Sequence, residues 1–180
     1  MSPDELTTRA GNVDLLLMDV DGVLTDGRVW FVPDPGGELV EVKSFHVADG
    51  AGIALAHRGG LETGMVSARS SAGVRRRAEE LSVRFVYLDV SDKRTALESI
   101  LEESGVPAER VCFVGDEVVD LPAMNRVGFP VAVQNAVPEV RARSAYVTEA
   151  RGGDGAVREV VELILKAKGK WDAVIADFLE

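Results

Sequence analysis

Short apolar segments alternate along this chain with segments of helical periodicity, and this alternation limits the fold more than any other feature. The apolar segments have the length of buried strands and occupy residues 14–20, 61–67, 83–88, 110–114 and 129–133. The helical segments lie between them, at residues 47–57, 70–81, 97–101 and 121–126. Strands that alternate with helices form a parallel sheet covered on both faces. The sequence therefore predicts an α/β fold, a Rossmann-like doubly wound parallel sheet.

One segment interrupts the alternation after the first strand. Residues 28–32 and 38–43 are rich in strand-forming residues and flank the turn-forming stretch Pro33-Asp34-Pro35-Gly36-Gly37. This pattern predicts a β-hairpin with a long loop. We therefore expect residues 22–43 to be a small hairpin insertion, and we expect no large cap domain. An isolated hairpin is only marginally stable in water, so this one needs a partner surface.

The length of 180 residues is that of one domain, and we expect a single domain over residues 1–180. The first dozen residues are polar and are expected to be a lead-in to the first strand. Residues 166–180 are expected to form a C-terminal tail. The chain has one cysteine, Cys112, so no disulfide can form within it, and its apolar neighbours predict a buried strand position.

The charge balance indicates which partners the surface does not suit. Twenty Lys and Arg against thirty Asp and Glu give a formal net charge of −10. An acidic surface repels nucleic acid and anionic lipid, and we expect neither as a partner. The first residues carry no basic segment followed by an apolar one, and no apolar run reaches the length of a membrane span. We therefore expect a cytoplasmic protein.

Acidic residues stand where two of the predicted strands end. Asp19 and Asp21 close the first strand, and Asp116, Glu117 and Asp120 follow a later one. The carboxyl ends of parallel strands meet at one edge of a sheet, so these carboxylates are expected to share a crevice. Crowded carboxylates repel one another unless a cation neutralises them, and oxygen ligands favour magnesium or calcium over zinc. An open magnesium site also accepts substrate phosphate.

Two other strand ends add a hydroxyl, Ser67, and a lysine, Lys93. Lys93 is predicted at the start of a helix, where the helix dipole disfavours a cation unless an anion binds there. Each of these residues also has an ordinary structural explanation. Asp21 can be a turn residue, Asp120 a helix cap, Ser67 a turn hydroxyl and Lys93 a solvated side chain. Their occurrence together at the ends of strands favours one phosphate-binding site.

Four segments in chain order resemble the four motifs of the haloacid dehalogenase superfamily of phosphatases. They are Asp19-x-Asp21-Gly22-x-Leu24-Thr25, Ser67, Lys93 and Gly115-Asp116-x-x-x-Asp120. Residues 43–53 and 152–159 are similar to two further signatures of one subgroup, the 3-deoxy-D-manno-octulosonate 8-phosphate phosphatases. The resemblance covers nearly the whole chain, and the full ordered set of motifs is highly specific.

The resemblance implies magnesium-dependent phosphate transfer through an aspartyl-phosphate. Asp19 would be the nucleophile, and Asp21 would protonate the leaving group and then activate water. Ser67 and Lys93 would hold the phosphoryl oxygens. The implied magnesium ligands are the Asp19 carboxylate, the Asp21 backbone carbonyl and Asp116, with Asp120 and Glu117 in support.

The resemblance also implies a substrate and an assembly. The substrate would be a small phosphorylated sugar acid, 3-deoxy-D-manno-octulosonate 8-phosphate first and a nonulosonate 9-phosphate as the alternative. The hairpin at residues 22–43 would join a homotetramer and act as a lid, with Trp30 and Phe31 as interface anchors. The implied substrate contacts are His46, Asp49, Gly50, Arg69 and Arg77.

Three positions depart from the subgroup pattern. Ala48 stands where the subgroup usually has arginine, Ala68 replaces a glycine before Arg69, and Glu117 replaces an aspartate. The nucleophile, the acid, the metal ligand and the lysine are all retained. The departures therefore concern the identity of the substrate more than the chemistry.

Two other functions share part of this pattern. One is a non-catalytic oligomerisation domain, related to those fused to CMP-sialic acid synthetases; the intact set of Asp19, Asp21, Lys93 and Asp116 argues against it. The other is a receiver domain that stores a phospho-aspartate. Asp21 argues against that function, because it would promote the hydrolysis that a signalling domain has to avoid.

Overall fold

The computed structural model describes residues 2–176, 178 and 179 and is built around a six-stranded sheet. The eight strands of the described chain are β1 (Leu15–Met18), β2 (Trp30–Pro33), β3 (Leu39–Val42), β4 (Glu62–Val66), β5 (Phe85–Tyr87), β6 (Val111–Gly115), β7 (Phe129–Ala132) and β8 (Tyr146–Val147). The large sheet has the order β5-β4-β1-β6-β7-β8, and all of its neighbouring strands are parallel. The chain extends the sheet first to one side of β1 and then to the other, so the switch point lies at the end of β1.

Two groups of helices accompany the sheet. The α-helices are α1 (Pro3–Gly11), α2 (Val47–Arg58), α3 (Ala72–Glu80), α4 (Lys93–Ser104), α5 (Leu121–Met124), α6 (Pro138–Arg141), α7 (Ala156–Ala167) and α8 (Trp171–Ala176). Helix α7 packs against α1, α2 and α8, while α4 packs against α5. Every residue of β1 and β6 is buried, as expected for strands covered on both faces. The predicted α/β fold without a large cap is confirmed.

The expectation of a lead-in before the first strand is wrong, because residues 3–11 form α1. The Ser2 side chain caps this helix by accepting a hydrogen bond from the Glu5 amide at 3.2 Å, and Pro3 occupies the first helical position. Ala10 is fully buried where α1 meets α7. The helix is polar along most of its length, so hydrophobic periodicity alone did not indicate it.

The C-terminal segment at residues 166–180 is more regular than the predicted tail. It contains the last two residues of α7 and then α8, whose Val174 is buried. The Trp171 ring lies near two cations, with Lys166 Nζ at 5.0 Å from the ring centroid. Asp177 and Glu180 of this segment lie outside the described residues.

Strands β2 and β3 form the predicted hairpin as a separate two-stranded antiparallel sheet. Trp30 pairs with Val42 and Val32 pairs with Val40, and alternation along a strand places these four apolar side chains on one face. All four are exposed in the isolated chain, Trp30 by 57%. Within residues 2–176, 178 and 179, no helix combines the length and apolar character that crossing a membrane requires.

Candidate active site

The acidic residues meet where the strands of the large sheet end. Asp19 follows β1 directly, and its amide donates to the Val114 carbonyl of neighbouring β6 at 2.9 Å. Asp116 follows β6, and Ser67 follows β4 on the other side of β1. The sheet thus brings three separate parts of the chain to one crevice, at the switch point where doubly wound folds bind ligands.

Lys93 lies at the centre of this crevice as the first residue of α4. Its side chain is 3% exposed, and Nζ lies 2.6 Å from Asp19 Oδ1 and 2.5 Å from Asp120 Oδ1. The second Asp120 oxygen, Oδ2, accepts hydrogen bonds from the amides of Asp116 and Glu117 at 3.0 and 3.1 Å. Asp120 therefore fixes the lysine and the loop after β6 together.

The pKa values of Asp19, Asp116 and Lys93 are all raised in this crevice. Burial, partly opposed by the charge of Lys93, raises the pKa of Asp19 to about 6. Burial and the charges of Asp19 and Asp120 raise the pKa of Asp116 to about 8. Burial lowers the pKa of Lys93, but the two carboxylates more than offset this and raise it above its usual value. Burial is therefore the main reason that the pKa values of both carboxylates are raised, and the single ammonium of Lys93 only partly offsets it.

The residues present fit a hard divalent cation. Carboxylate oxygens of Asp19, Asp116 and Asp120 lie within 4.8 Å of one another. Asp120 already uses one oxygen for Lys93 and the other for backbone amides, which leaves Asp19 and Asp116 as the available carboxylate ligands. Asp116 Oδ1 is buried without a hydrogen-bond partner among the described residues. An all-oxygen donor set with an unsatisfied carboxylate suits magnesium.

Gly22 lets the chain after β1 pass close to this cluster. It has a φ of +96°, and a Cβ at this position would overlap with Asp116 Oδ2. A glycine is therefore required here both by the backbone conformation and by the space that Asp116 occupies.

Asp21 lies two residues after Asp19, and Ser67 follows β4; each has a polar group that is available to a ligand. Asp21 Oδ1 pairs with the ammonium of Lys43, while Oδ2 is buried without a partner among the described residues. Ser67 is buried, and its Oγ accepts a hydrogen bond from the Arg69 amide at 3.1 Å. Since Oγ acts as an acceptor there, its O–H proton is left to donate to an oxyanion.

Two of the predicted substrate contacts lie beside the crevice. The Arg69 guanidinium pairs with Glu41 of the hairpin. Arg77 pairs with Glu80 at 3.0 Å, and its guanidinium carbon lies 5.9 Å from the centre of the Phe45 ring. A cavity of about 360 Å³ opens at this point, lined by Lys43, Phe45, Val47, Gly73, Arg76, Arg77 and Glu80.

The structure does not bring Asp49 into the crevice. Asp49 is buried, with Oδ2 accepting from the Gly155 amide at 3.2 Å and Oδ1 from the Arg158 amide at 2.9 Å. Both oxygens are thus engaged at the start of α7. The contacts of Asp49 are those of a residue that joins α2 to α7, not those of a substrate ligand.

His46 and Gly50 have structural contacts as well. His46 caps α2, since its Nδ1 accepts from the Ala48 amide at 3.2 Å, and its Nε2 lies 3.8 Å from Asp154 Oδ1. Gly50 is buried, and a Cβ there would collide with the Arg77 guanidinium. Gly50 therefore makes room for Arg77, so its influence on a substrate would be indirect.

Two charged residues at the base of the hairpin, Lys43 and Glu41, belong to the site although no motif implied a role for them. Lys43 joins Asp21 to Glu41, with Nζ 3.2 Å from Glu41 Oε1, and Glu41 in turn holds Arg69. The available signal was a pair of opposite charges two residues apart at the base of an otherwise apolar strand. Alternation places both side chains on the hairpin face opposite to Val40 and Val42.

The class of the protein follows from its fold and its site. A parallel sheet carries, at its switch point, an aspartate that can act as a nucleophile, a buried lysine and a pair of acidic residues. A family model described as haloacid dehalogenase-like hydrolase matches residues 77–160. This region includes Lys93, Asp116 and Asp120, so the match rests on part of the site described above.

Comparisons over the whole chain give the particular family. The chain is 41% identical to 3-deoxy-D-manno-octulosonate 8-phosphate phosphatase KdsC of Salmonella typhi, over 92% of this chain and 86% of that protein. The Escherichia coli K12 protein of the same name is 39% identical over 93% and 87%. A crystal structure of such a phosphatase from Moraxella catarrhalis, with magnesium, phosphate and KDO, has a TM-score of 0.91 and 39% identity, covering 98% and 99%. The chain belongs to the 3-deoxy-D-manno-octulosonate 8-phosphate phosphatase family of haloacid dehalogenase-like hydrolases.

Proposed function

We propose that this protein is a magnesium-dependent phosphatase of a small phosphorylated sugar acid, with 3-deoxy-D-manno-octulosonate 8-phosphate as the leading substrate. The observation that carries this function is the Lys93 ammonium held between Asp19 and Asp120, beside the unsatisfied carboxylate of Asp116. The arrangement offers a nucleophile, a fixed cation and a metal site at one point. The activity named for the relatives supports the same substrate.

Magnesium would be held by the carboxylates of Asp19 and Asp116 and by the backbone carbonyl of Asp21. When bound, the ion supplies positive charge that keeps both carboxylates ionised and offsets the charge of the phosphoryl oxygens. The raised pKa values of Asp19 and Asp116 are consistent with carboxylates that lack this charge.

The chain's own residues account for the first half of the reaction. A carboxylate oxygen of Asp19 attacks phosphorus, and the bond between phosphorus and the sugar oxygen breaks. Asp21 gives a proton to that oxygen, because an alkoxide is a poor leaving group. The Lys93 ammonium and the Ser67 hydroxyl donate hydrogen bonds to the phosphoryl oxygens and stabilise their charge in the transition state.

The second half restores the enzyme. Asp21, now ionised, accepts a proton from a water molecule as that water attacks the phosphorus of the aspartyl-phosphate. The Asp19–phosphorus bond breaks, its electron pair returns to the carboxylate, and inorganic phosphate leaves. Two steps with one acid–base group replace a single displacement by water.

The cavity beside Phe45 and Arg77 is suited to the sugar-acid part of the substrate. One of its lining residues, Lys43, pairs with Asp21. Arginine binds a carboxylate through two parallel hydrogen bonds, so Arg77 and Arg69 are the proposed ligands of the acid group. Ala48 supplies no charge here, and Arg76 of the neighbouring helix is a further cation of the cavity.

The apolar face of the hairpin supports a homotetramer as the working assembly. Trp30, Val32, Val40 and Val42 present a continuous apolar surface that the chain itself leaves exposed. Surfaces of this kind mark contacts between proteins. We assign residues 22–43 to assembly and lid formation. The single buried cysteine, Cys112, fits a reducing compartment and supports a cytoplasmic location.

A panel of phosphate esters tests the function and identifies the substrate. Phosphate release with magnesium is measured for the octulosonate 8-phosphate, nonulosonate 9-phosphates and hexose 6-phosphates, with EDTA and Asp19→Asn as controls. We expect the octulosonate ester to have the highest kcat/KM and both controls to be inactive. A higher kcat/KM for the nonulosonate esters would make a nonulosonate 9-phosphate the substrate in place of the octulosonate ester. Folded protein without activity on any ester would favour the non-catalytic oligomerisation domain.

A further inference from the structure

Lys43, at the base of the hairpin, places its charged side chain in the active site beside Asp21. Lys43 follows β3, whose residues Val40 and Val42 are exposed, yet the Lys43 side chain is only 1% exposed. Burial of an ammonium costs free energy unless carboxylates compensate for it. Asp21 and Glu41 provide this compensation, with Lys43 Nζ paired to Asp21 Oδ1 and 3.2 Å from Glu41 Oε1.

The pairing divides the Asp21 carboxyl into two different oxygens. Oδ1 is held by the Lys43 ammonium, whereas Oδ2 is buried and has no hydrogen-bond partner among the described residues. A carboxyl held through one oxygen cannot turn freely about its terminal bond. The free oxygen is thereby kept in one orientation.

We propose that Lys43 is a positioning residue, which orients the Asp21 carboxyl so that Oδ2 donates its proton to the oxygen of the leaving group. This inference rests on the proposed function, because it assigns Lys43 a part in the proton transfer from Asp21. Lys43 itself gives up no proton and forms no bond to phosphorus. It differs in this from Lys93, which lies against the nucleophile Asp19.

The same group of charges joins the hairpin to the loop after β4. Glu41 Oε2 pairs with the guanidinium of Arg69, which lies two residues after Ser67. Asp21, Lys43, Glu41 and Arg69 therefore form a continuous chain of ion pairs from the acid–base group to the loop after β4. Loss of the Lys43 ammonium would release Asp21 and also remove one of the two cations that hold Glu41.

The chemistry of the first step determines where the effect of Lys43 has to be seen. As the Asp19–phosphorus bond forms, the bond from phosphorus to the leaving oxygen breaks, and its electron pair stays on that oxygen. An alkoxide has to take the proton from Asp21 Oδ2, whereas a nitrophenolate is stable without it. Misorientation of Asp21 therefore slows alkyl esters and spares p-nitrophenyl phosphate.

The test compares kcat/KM for both kinds of ester in Lys43→Met, which keeps the length of the side chain and removes its charge. We expect kcat/KM to fall roughly 100-fold for the best alkyl phosphate and less than about 3-fold for p-nitrophenyl phosphate, the size of a lost general-acid contribution. Glu38→Gln is the matched control, since Glu38 is an exposed charge of the same hairpin. It should leave both values unchanged.

Two further variants separate positioning from a merely structural role. Lys43→Arg restores the cation and should recover part of the alkyl activity. In an Asp21→Asn background, Lys43→Met should not change the ratio of the two kcat/KM values further, because both changes act on one proton transfer. Equal losses for the two esters, or independent losses in the double variant, would overturn the inference.

The possible failures are distinguishable. If wild-type protein releases no phosphate from any alkyl ester, the proposed function itself fails. If wild-type protein is active and the ester ratio of Lys43→Met stays at the wild-type value, only the role of Lys43 is refuted. Should Lys43→Met fail to fold, as judged by circular dichroism, the ratio in Lys43→Arg and Lys43→Gln decides between the same outcomes.

Discussion

Lys93 Nζ lies 2.6 Å from Asp19 Oδ1, although Lys93 begins α4 and Asp19, which follows β1, stands 74 positions earlier in the chain. The helix dipole disfavours a lysine at the start of α4, so the position costs free energy that only nearby anions offset. Asp19 and Asp120 are those anions in the described structure. Lys93 is therefore unfavourable for α4 itself, but it places a cation where a phosphoryl group would bind.

Replacement of Lys93 by methionine should abolish activity and destabilise the protein. The change leaves Asp19 and Asp120 buried without their counter-charge, and loss of one partner of a buried ion pair costs about 3–5 kcal/mol. Urea unfolding monitored by circular dichroism measures the change. The double variant Lys93→Met/Asp120→Asn should regain part of the stability and none of the activity. A Lys93→Met protein as stable as wild type would contradict this picture of the crevice.

Magnesium should stabilise the protein more at about pH 8 than at about pH 6. The pKa of folded Asp116 is raised from 3.8 to about 8 without metal, so between these values the folded state binds more protons than the unfolded state. The stability of the metal-free protein therefore falls as pH rises through this window. At lower pH, magnesium also has to displace protons from its ligands. Thermal unfolding in EDTA and in magnesium, at both pH values, gives the comparison.

Asp116→Asn is the control for the effect of pH. An amide carries no charge, so the metal-free variant should be more stable than wild type at about pH 8, and magnesium should raise its Tm little. Equal Tm increases by magnesium in wild type and variant would show that Asp116 is not a ligand.

The resemblance implies that Asp49 contacts the substrate, whereas the structure shows it bonded to backbone amides of the protein, and a substitution distinguishes these two roles. Because Asp49 accepts from the amides of Gly155 and Arg158, Asp49→Ala should lower the free energy of unfolding by about 2 kcal/mol, the cost of buried amides left without partners. The KM of the folded variant should change little. A large rise in KM with unchanged stability would restore Asp49 as a substrate ligand.

The hairpin should determine the oligomeric state. Light scattering of wild-type protein is expected to give four times the mass of one chain. Trp30→Glu and Val40→Glu place charges on the apolar face and should reduce that mass, whereas Glu38→Gln on the same hairpin should not. A wild-type protein that is monomeric at all concentrations would refute the assembly role of residues 22–43.

The alternation of apolar and helical segments was sufficient to predict the sheet, because parallel strands that are buried on both faces are apolar along most of their length. It was not sufficient for α1, whose polar sequence is stabilised by the Ser2 cap and by burial of Ala10 against α7. The acidic strand ends predicted the crevice for the same topological reason. The relation of Lys43 to Asp21 could not be predicted, since it depends on where the base of the hairpin lies relative to the residues that follow β1.

The most direct test of the account is a rapid-quench experiment with the octulosonate 8-phosphate and magnesium, followed by mass spectrometry of the peptide that contains Asp19. We expect a phosphorylated Asp19 peptide that forms before phosphate accumulates and that is missing with EDTA. Steady phosphate release without any phosphorylated Asp19 peptide would contradict the aspartyl-phosphate mechanism. Release of no phosphate by folded protein would contradict the proposed function as a whole.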